Sequence, residues 1–442
     1  MSVMLPKEIN YDLPLSLPSN VTSMDVSVVP CNGSQFSCAT AGAIVQFDLP
    51  ARGYSDFKTL SVRYKSTCVS TGITKIRGTP LYAALQRLEV LFAGQGQNIN
   101  AYNQTMNMLV NTRLNVAEKI SSATNYGWKL EGDTTVMTLQ GCDGRVCKIN
   151  DVFPLSGPLP CILSECDRYL PTGFMPPIRV QFTLDGISNI FGGADGAITT
   201  SLTTLEQGIP ASSVTVVPTD YILSDFTLNY NILDFGPEVD NAIRSKGEKI
   251  TIKSQSYSNT SNTIPIGSNG SQELIYSIKL ASIKSLFLHC SVAGTQNSLF
   301  DAHEITSGGD LQFNIGGKLF PQSRPLSAAI ANKGMLLLEL KKACGSLYNK
   351  SNSMSINTQE LLTIGTASTI VNPAKSYYGV CTEVLQGSTS VLLSGTSTNN
   401  SPVTCRLNIL TATTATVNAS LIAVCDCLIE IEPATKGVRV IQ

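Results

Sequence analysis

The chain has 442 residues, only 14% of them charged, and a formal net charge of −1. Its length exceeds one ordinary core and suggests two domains or one large one; 43% hydrophobic residues with a mean hydropathy of +0.11 exclude a disordered chain. The near-zero balance removes the electrostatic footprint of a protein that wraps nucleic acid or lies on anionic lipid. Soluble domains usually carry about 25% charge. Here Ser, Thr and Asn replace it, making up about a quarter of the chain. The polar surface is therefore mostly neutral, as in a chain embedded in partners or kept soluble by something other than charge repulsion.

The first residues, MSVMLPKEINYDLP, form no apolar signal region, because Pro6, Lys7, Glu8 and Asp12 interrupt it. No later run approaches 18 apolar residues, so neither a signal peptide nor a membrane span is expected. The 13 cysteines are then expected as reduced thiols of the cytoplasm or nucleus. Asn-x-Ser/Thr sequons, as at Asn20, Asn103 and Asn259, follow from the composition and are not read as glycosylation sites.

Period-two alternation dominates the rest of the chain. Val45, Phe47 and Leu49 share one strand face, as do Leu60, Val62 and Tyr64. Ile178, Val180, Phe182 and Leu184 repeat the pattern, and so do Phe226, Leu228, Tyr230 and Ile232. Each predicts an antiparallel strand, apolar inward and polar outward. With 34 glycines and 21 prolines between such runs, the fold class is all-β, of sandwich type.

Helical periodicity occurs in two places. Tyr102, Met106, Leu109 and Val110 form a stripe over Tyr102–Leu114. Leu326, Ile330, Leu337, Leu340 and Cys344 form another over Leu326–Cys344, with Gly345 as its stop. Each follows an alternating strand and a glycine turn: Leu88 to Phe92 then Gly94 and Gly96, and Leu311 to Ile315 then Gly316 and Gly317. The two turns lie about half a chain apart, the spacing of a tandem duplication. Opening strands are expected near Asp25–Val29 and Asp225–Leu233, and closing strands at Ile178–Leu184 and Cys427–Ile431. The expected division is an N-terminal arm over 1–20, a first unit over 21–190, a linker over 191–215 and a second unit over 216–442.

Chemistry is scarce along this chain. The two histidines are His289 and His303. His303-Glu304 opens like a zinc-protease motif, but Ser307 stands where the second histidine must be. His289, in SLFLHC, reads as a core or interface histidine. Gly94-Gln95-Gly96 lacks the third glycine of a dinucleotide fingerprint, and Leu319 after Gly317-Lys318 replaces the magnesium-holding hydroxyl of a phosphate loop. Both read as β-turn glycines. No Gly-x-Ser-x-Gly elbow is present. Cys142, Cys147, Cys161 and Cys166 have loose zinc-site spacing; the alternatives are disulfides or small apolar side chains in a loop-rich segment. Cys425 and Cys427 fall on the inward face of CDCLIEIE. No catalytic, cofactor-binding or metal-ligating residue is assigned, and no enzyme activity is expected.

Four stretches together resemble the double jelly-roll major capsid proteins of double-stranded DNA viruses, nearest the polinton, adintovirus and virophage end of the adenovirus hexon lineage. They are Arg77-Gly-Thr-Pro80 through Gln86–Leu91 to Gln97-Asn-Ile99 and Tyr102-Asn103, and Ile315–Pro321 with Pro325 and the helix after it. The others are Tyr230–Asp240 leading to Lys249–Gln255, similar to the first strands of the second barrel, and Pro176–Leu184, similar to the closing strand of the first. The resemblance implies two tandem eight-stranded antiparallel jelly rolls with short helices in the loops. It further implies homotrimeric, pseudo-hexameric capsomers that tile an icosahedral virion capsid, made in the host cytoplasm or nucleus. Neighbouring capsomers, penton and minor capsid proteins would be the partners. Loops around Tyr126–Pro160 and Ser254–Ser271 are expected to face outward or a neighbouring subunit. Within residues 1–20, Lys7 is the one cation, set against Glu8 and Asp12. The inner face is therefore expected to meet an internal membrane, minor proteins or capsomers, with no direct nucleic-acid binding. The alternative is a two-domain β-sandwich that binds glycans or a receptor, for which the single Trp128 is a sparse stacking platform. A β-sandwich glycoside hydrolase is a third reading, and it lacks a placed carboxylate pair.

Overall fold

The computed structural model describes residues 21–70, 74–128, 144–147, 150–192, 218–246, 249–292, 309–327, 332–347, 354, 356, 377–384 and 393–442. The N-terminal arm and the segment 193–217, with most of the expected linker, lie outside these residues, as do Cys142 and His303.

In chain order the first strands are β1 (Thr22–Val28), β2 (Gln35–Ser37), β3 (Ile44–Leu49), β4 (Tyr54–Ser70), β5 (Thr74–Arg77) and β6 (Leu85–Phe92). Next come β7 (Gln95–Ile99), β8 (Gly144–Cys147), β9 (Asp151–Pro158), β10 (Ile178–Leu184), β11 (Phe191–Gly192) and β12 (Pro218–Asp234). The later strands begin with β13 (Ile250–Ile264), β14 (Gly270–Tyr276), β15 (Ile283–Val292), β16 (Asp310–Ile315) and β17 (Lys318–Phe320). They continue with β18 (Leu326–Ser327), β19 (Tyr378–Cys381), β20 (Val403–Ile409), β21 (Val417–Glu432) and β22 (Gly437–Ile441).

Two sheets, β1-β12-β4-β9 and β3-β10-β6-β7, face each other in the first unit. The second unit repeats them as β13-β21-β15-β19 and β14-β20-β16-β17. If each unit's eight main strands are counted from one to eight, both have the order 1-8-3-6 over 2-7-4-5. That is the jelly-roll order, in which consecutive strands cross between the two sheets except at the hairpin of the fourth and fifth. Short β2, β18 and β22 extend these sheets, while β11-β5-β8 is a small sheet of its own.

The alternating runs give the inward faces. Phe47 and Phe182 from one sheet meet Phe226 and Tyr64 from the other; Phe226 lies 5.5 Å from Phe47, 5.8 Å from Phe182 and 4.8 Å from Tyr64 between ring centroids. All four are buried, so each contributes its full apolar area to the first core. In β12 the inward parity changes from odd residues, Tyr221 and Leu223, to even ones, Phe226 and Leu228. Asp225, at φ 51°, makes the change possible: its bulge breaks the pairing with β4 between Ser224 and Thr227.

This strand corrects the expected division. Asp225–Leu233 was expected to open the second unit, yet it belongs to β12, which pairs with β1, β2 and β4. Its apolar face fills the first core, so it closes the first jelly roll, and β10 is that unit's seventh strand. The second unit opens at β13 instead. Between them runs an unforeseen helix, Pro237–Lys246. It is tied to the first unit by Tyr54 Oη donating to Asp240 at 2.9 Å and by Arg244 over the Phe174 ring.

The two strand–turn–helix elements form as expected. In the first, Phe92 pairs with Gln95 across Ala93 and Gly94, both at positive φ; in the second, Ile315 pairs with Lys318 across Gly316 and Gly317, also both positive. These are matching two-residue hairpins whose turn twist suits the strands. The first helix is Tyr102–Arg113. The second covers Lys333–Ala343, shorter than expected, because Leu326 and Ser327 extend the β16 sheet. Gly345, at φ 66°, ends it, with Ser346 N–H donating to Lys341 O at 2.9 Å.

Candidate functional site: the seam between the barrels

The helix Tyr102–Arg113 decides how the two barrels stand. Its sequence suggests one apolar stripe, but every residue from Tyr102 to Thr112 is buried. A helix enclosed on all sides must satisfy polar side chains within the protein. This one does so partly across the seam. Asn259 of β13 donates to Thr105 Oγ1 at 3.2 Å, Ser420 of β21 to Gln104 Oε1 at 3.4 Å, and Asn111 to Tyr377 Oη at 3.5 Å.

Around the helix the pattern continues. Gln97 of β7 accepts from Ile162 N–H and donates to Ser256 Oγ of β13, both at 2.7 Å. Ser254 donates to Ile162 O at 2.6 Å, and Asp167 N–H to Lys253 O at 3.0 Å. At the helix end, Arg113 donates to Glu165 and to Tyr257 Oη, each at 2.8 Å, while Tyr257 donates to Glu165 at 2.6 Å. Burial works against the Arg113 charge, but Tyr257 and Glu165 outweigh it and hold the guanidinium above its ordinary pKa. Burial pushes the Tyr257 phenol up as well. The seam is thus a charged and neutral hydrogen-bond network with its partners in place, which fixes orientation more than an apolar contact would.

β13 accounts for a second correction. Ser254–Ser271 was expected as a loop facing outward or a neighbouring subunit, but Ile250–Ile264 is one continuous strand paired with β21, and Gly270 already opens β14. Three of its polar side chains, Ser254, Ser256 and Asn259, are buried and face the seam. Tyr126–Pro160 likewise contains β8 and β9, with 129–143 outside the described residues.

The remaining candidate residues are dispersed. His289 is buried on β15, its ring 5.5 Å from Tyr377. Cys147 lies against Cys68 of β4, whereas Cys161 and Cys166 sit in the turn after β9 beside the seam. Among the described residues no three His, Cys, Asp or Glu groups converge on one point. Gly94 lies in the hairpin turn, while Gly96 lies within β7, where a Cβ would come 1.8 Å from the Val90 carbonyl oxygen. Among the described residues no helix is long and apolar enough to cross a membrane.

Outside the seam, the second strand of each barrel lies at the edge of its sheet. These strands carry exposed Ile44 on β3 and Ile275 on β14, with Ile266 and Leu410 exposed near the latter. Sheet edges with apolar side chains need covering by another chain or segment.

No family model matches the sequence, and no curated protein matches it. Solved structures do. The chain is similar to the Faustovirus major capsid protein (10% identity, TM-score 0.60, over 96% of this chain and 92% of that one). It is similar to PBCV-1 VP54, in a structure fitted into a reconstruction of the virophage Sputnik (11%, TM-score 0.58, over 97% and 98%). A chain of the Sputnik virophage structure is similar at 13% identity and TM-score 0.52, over 100% and 92%. At these identities the likeness is one of fold, and it extends through both jelly rolls.

Proposed function

We propose that this chain is a viral major capsid protein, a lattice subunit with no catalytic task. The two jelly rolls, one ending at Asp234 and the other opening at Ile250, act as two similar wedges, and three chains close into a ring of six. The observation that carries this reading is the repetition of one strand order in two barrels joined through a buried polar seam. A capsomer needs its wedges at a fixed angle, and the Gln97, Arg113 and Tyr257 network supplies that. Similarity in fold to the Faustovirus capsid protein over nearly the whole length supports it further.

Heterologous contacts that close give rings, and the apolar side chains at the β3 and β14 edges suit such contacts. Minor capsid proteins, a penton protein and an internal membrane are further proposed partners, with the host cytoplasm or nucleus as the place of synthesis. The sparse cations of residues 1–20 favour an inner face that does not bind DNA directly. Filter binding at low salt checks that point: no retention of DNA is expected, and tight, steeply salt-dependent retention overturns it. The glycan-binding alternative is weakened by Trp128, which is buried against Tyr126 and donates to Gly78 O, leaving no face for a sugar. Negative-stain electron microscopy of the purified chain tests the main proposal. Hexagonal-outlined capsomers are the expected image, and dispersed two-lobed monomers are the contrary one.

A further inference from the structure

We infer that Cys68 and Cys147 form an oxidation site: two buried thiols placed to be joined by a peroxide, stapling β4 to the β5–β8 strand pair. The inference does not depend on the capsid reading.

Strand pairing brings the two residues together. Cys68 lies near the end of β4, and its Sγ is 3.2 Å from Thr74 Oγ1 on β5. Thr74 is the direct register partner of Cys147 on β8. Directly paired residues in an antiparallel ladder hold their Cβ atoms about 4.5–5.5 Å apart on one face. The Cys68 sulfur, touching Thr74, is therefore also beside Cys147, and the two thiols influence each other's ionisation. Both are free thiols and fully buried.

The pair is chemically unequal. The neighbouring Cys147 thiol, helped by the Thr74 and Ser70 hydroxyls and opposed by burial, lowers the Cys68 pKa to about 7. The Cys147 pKa is raised, first by the neighbouring Cys68 and then by burial. Cys68 is thus the nucleophile and Cys147 the resolving thiol, the arrangement that favours a sulfenic intermediate passing to a disulfide. Burial selects a small oxidant, hydrogen peroxide.

The steps balance. The Cys68 thiolate attacks one peroxide oxygen, its S–O bond forms as the O–O bond breaks, and the released hydroxide takes a proton to become water. The Cys147 thiol then gives up its proton and attacks the sulfenic sulfur; the S–S bond forms, the S–O bond breaks, and the second water leaves. Two thiols lose two electrons, and the peroxide gains them. The product would tie the wall of the first barrel to β8, which borders the segment 129–143, and so restrain the unfolded chain.

The test uses the full-length chain, reduced and then exposed to hydrogen peroxide, alkylated under denaturing conditions and mapped by mass spectrometry. A Cys68–Cys147 linked peptide is expected, reversed by reductant and absent from Cys68→Ser and Cys147→Ser. Cys38→Ser is the control, because Cys38 donates its N–H to Tyr221 O, and Tyr221 is the β12 partner of Cys68; it should retain the link. Oxidation should also raise the thermal midpoint of the natural chain and of Cys38→Ser, but of neither other variant. Cys68 recovered as sulfinic or sulfonic acid beside a free Cys147, or linked to Cys38, overturns the inference. That outcome is read from the natural chain alone, so a variant that fails to fold leaves the test intact.

Discussion

Gly96 occupies a position that no other residue fits, because a Cβ there would lie 1.8 Å from the Val90 carbonyl oxygen. Gly96→Ala must push β7 away from β6, and overpacking a backbone contact this close should cost about 3 kcal/mol or more. Urea unfolding measures it; a change below about 0.5 kcal/mol contradicts the geometry. Asp185 gives a pH signature. It is buried at the end of β10, accepting from Gly186 N–H at 2.9 Å, Asn189 at 2.8 Å and Asn103 at 3.0 Å. Burial raises its pKa above 3.8, and these bonds offset only part of the rise. The folded chain therefore holds a proton that the unfolded chain has already released, so stability falls as pH climbs from the ordinary carboxyl pKa through the raised one. Relative to Asp185→Asn, the natural chain should lose stability across that acid window and change little above it. A difference that grows in the opposite direction contradicts the assignment. At this scale the sequence was partly legible. The hairpin glycines could be read because positive φ leaves a compositional mark. Asp185 and the Cys68–Cys147 contact could not, since each depends on residues brought together from distant strands.

The alternating strands and the two helices after the glycine turns were legible as elements, but the sheet membership of the strands was not. Alternation in Phe226, Leu228, Tyr230 and Ile232 marks a strand with one buried face, yet it is silent on which core that face fills. Only the pairing with β1 and β4 assigns β12 to the first barrel. β13 failed in the opposite way. Its Ser254, Ser256 and Asn259 looked like loop composition because their partners, Ile162, Gln97 and Thr105, belong to the other barrel. The seam is the element-scale claim, and Gln97 probes it. Gln97→Leu strips the acceptor from buried Ile162 N–H and the donor from Ser256, which should cost about 1–3 kcal/mol. In a double-mutant cycle with Ser256→Ala, the two changes should be non-additive by at least about 0.5 kcal/mol. Strict additivity in denaturant unfolding would mean that the bridge contributes nothing.

For the whole molecule, neutral Ser, Thr and Asn side chains take two positions. Some are buried in the seam and satisfy one another there. Others cover the barrel walls, which under the proposed capsid role would face neighbouring subunits, where charged side chains are depleted. The tandem organisation was legible because a duplicated strand–turn–helix repeats its glycines and apolar spacing. The angle between the barrels was not, since it is set by contacts between segments far apart in the chain. A closed ring of six wedges requires three chains. Static light scattering on the chain eluting from size exclusion, at micromolar concentration and moderate salt, measures this directly. The account predicts a species of three chain masses that persists on dilution; a monomer at every concentration would contradict it.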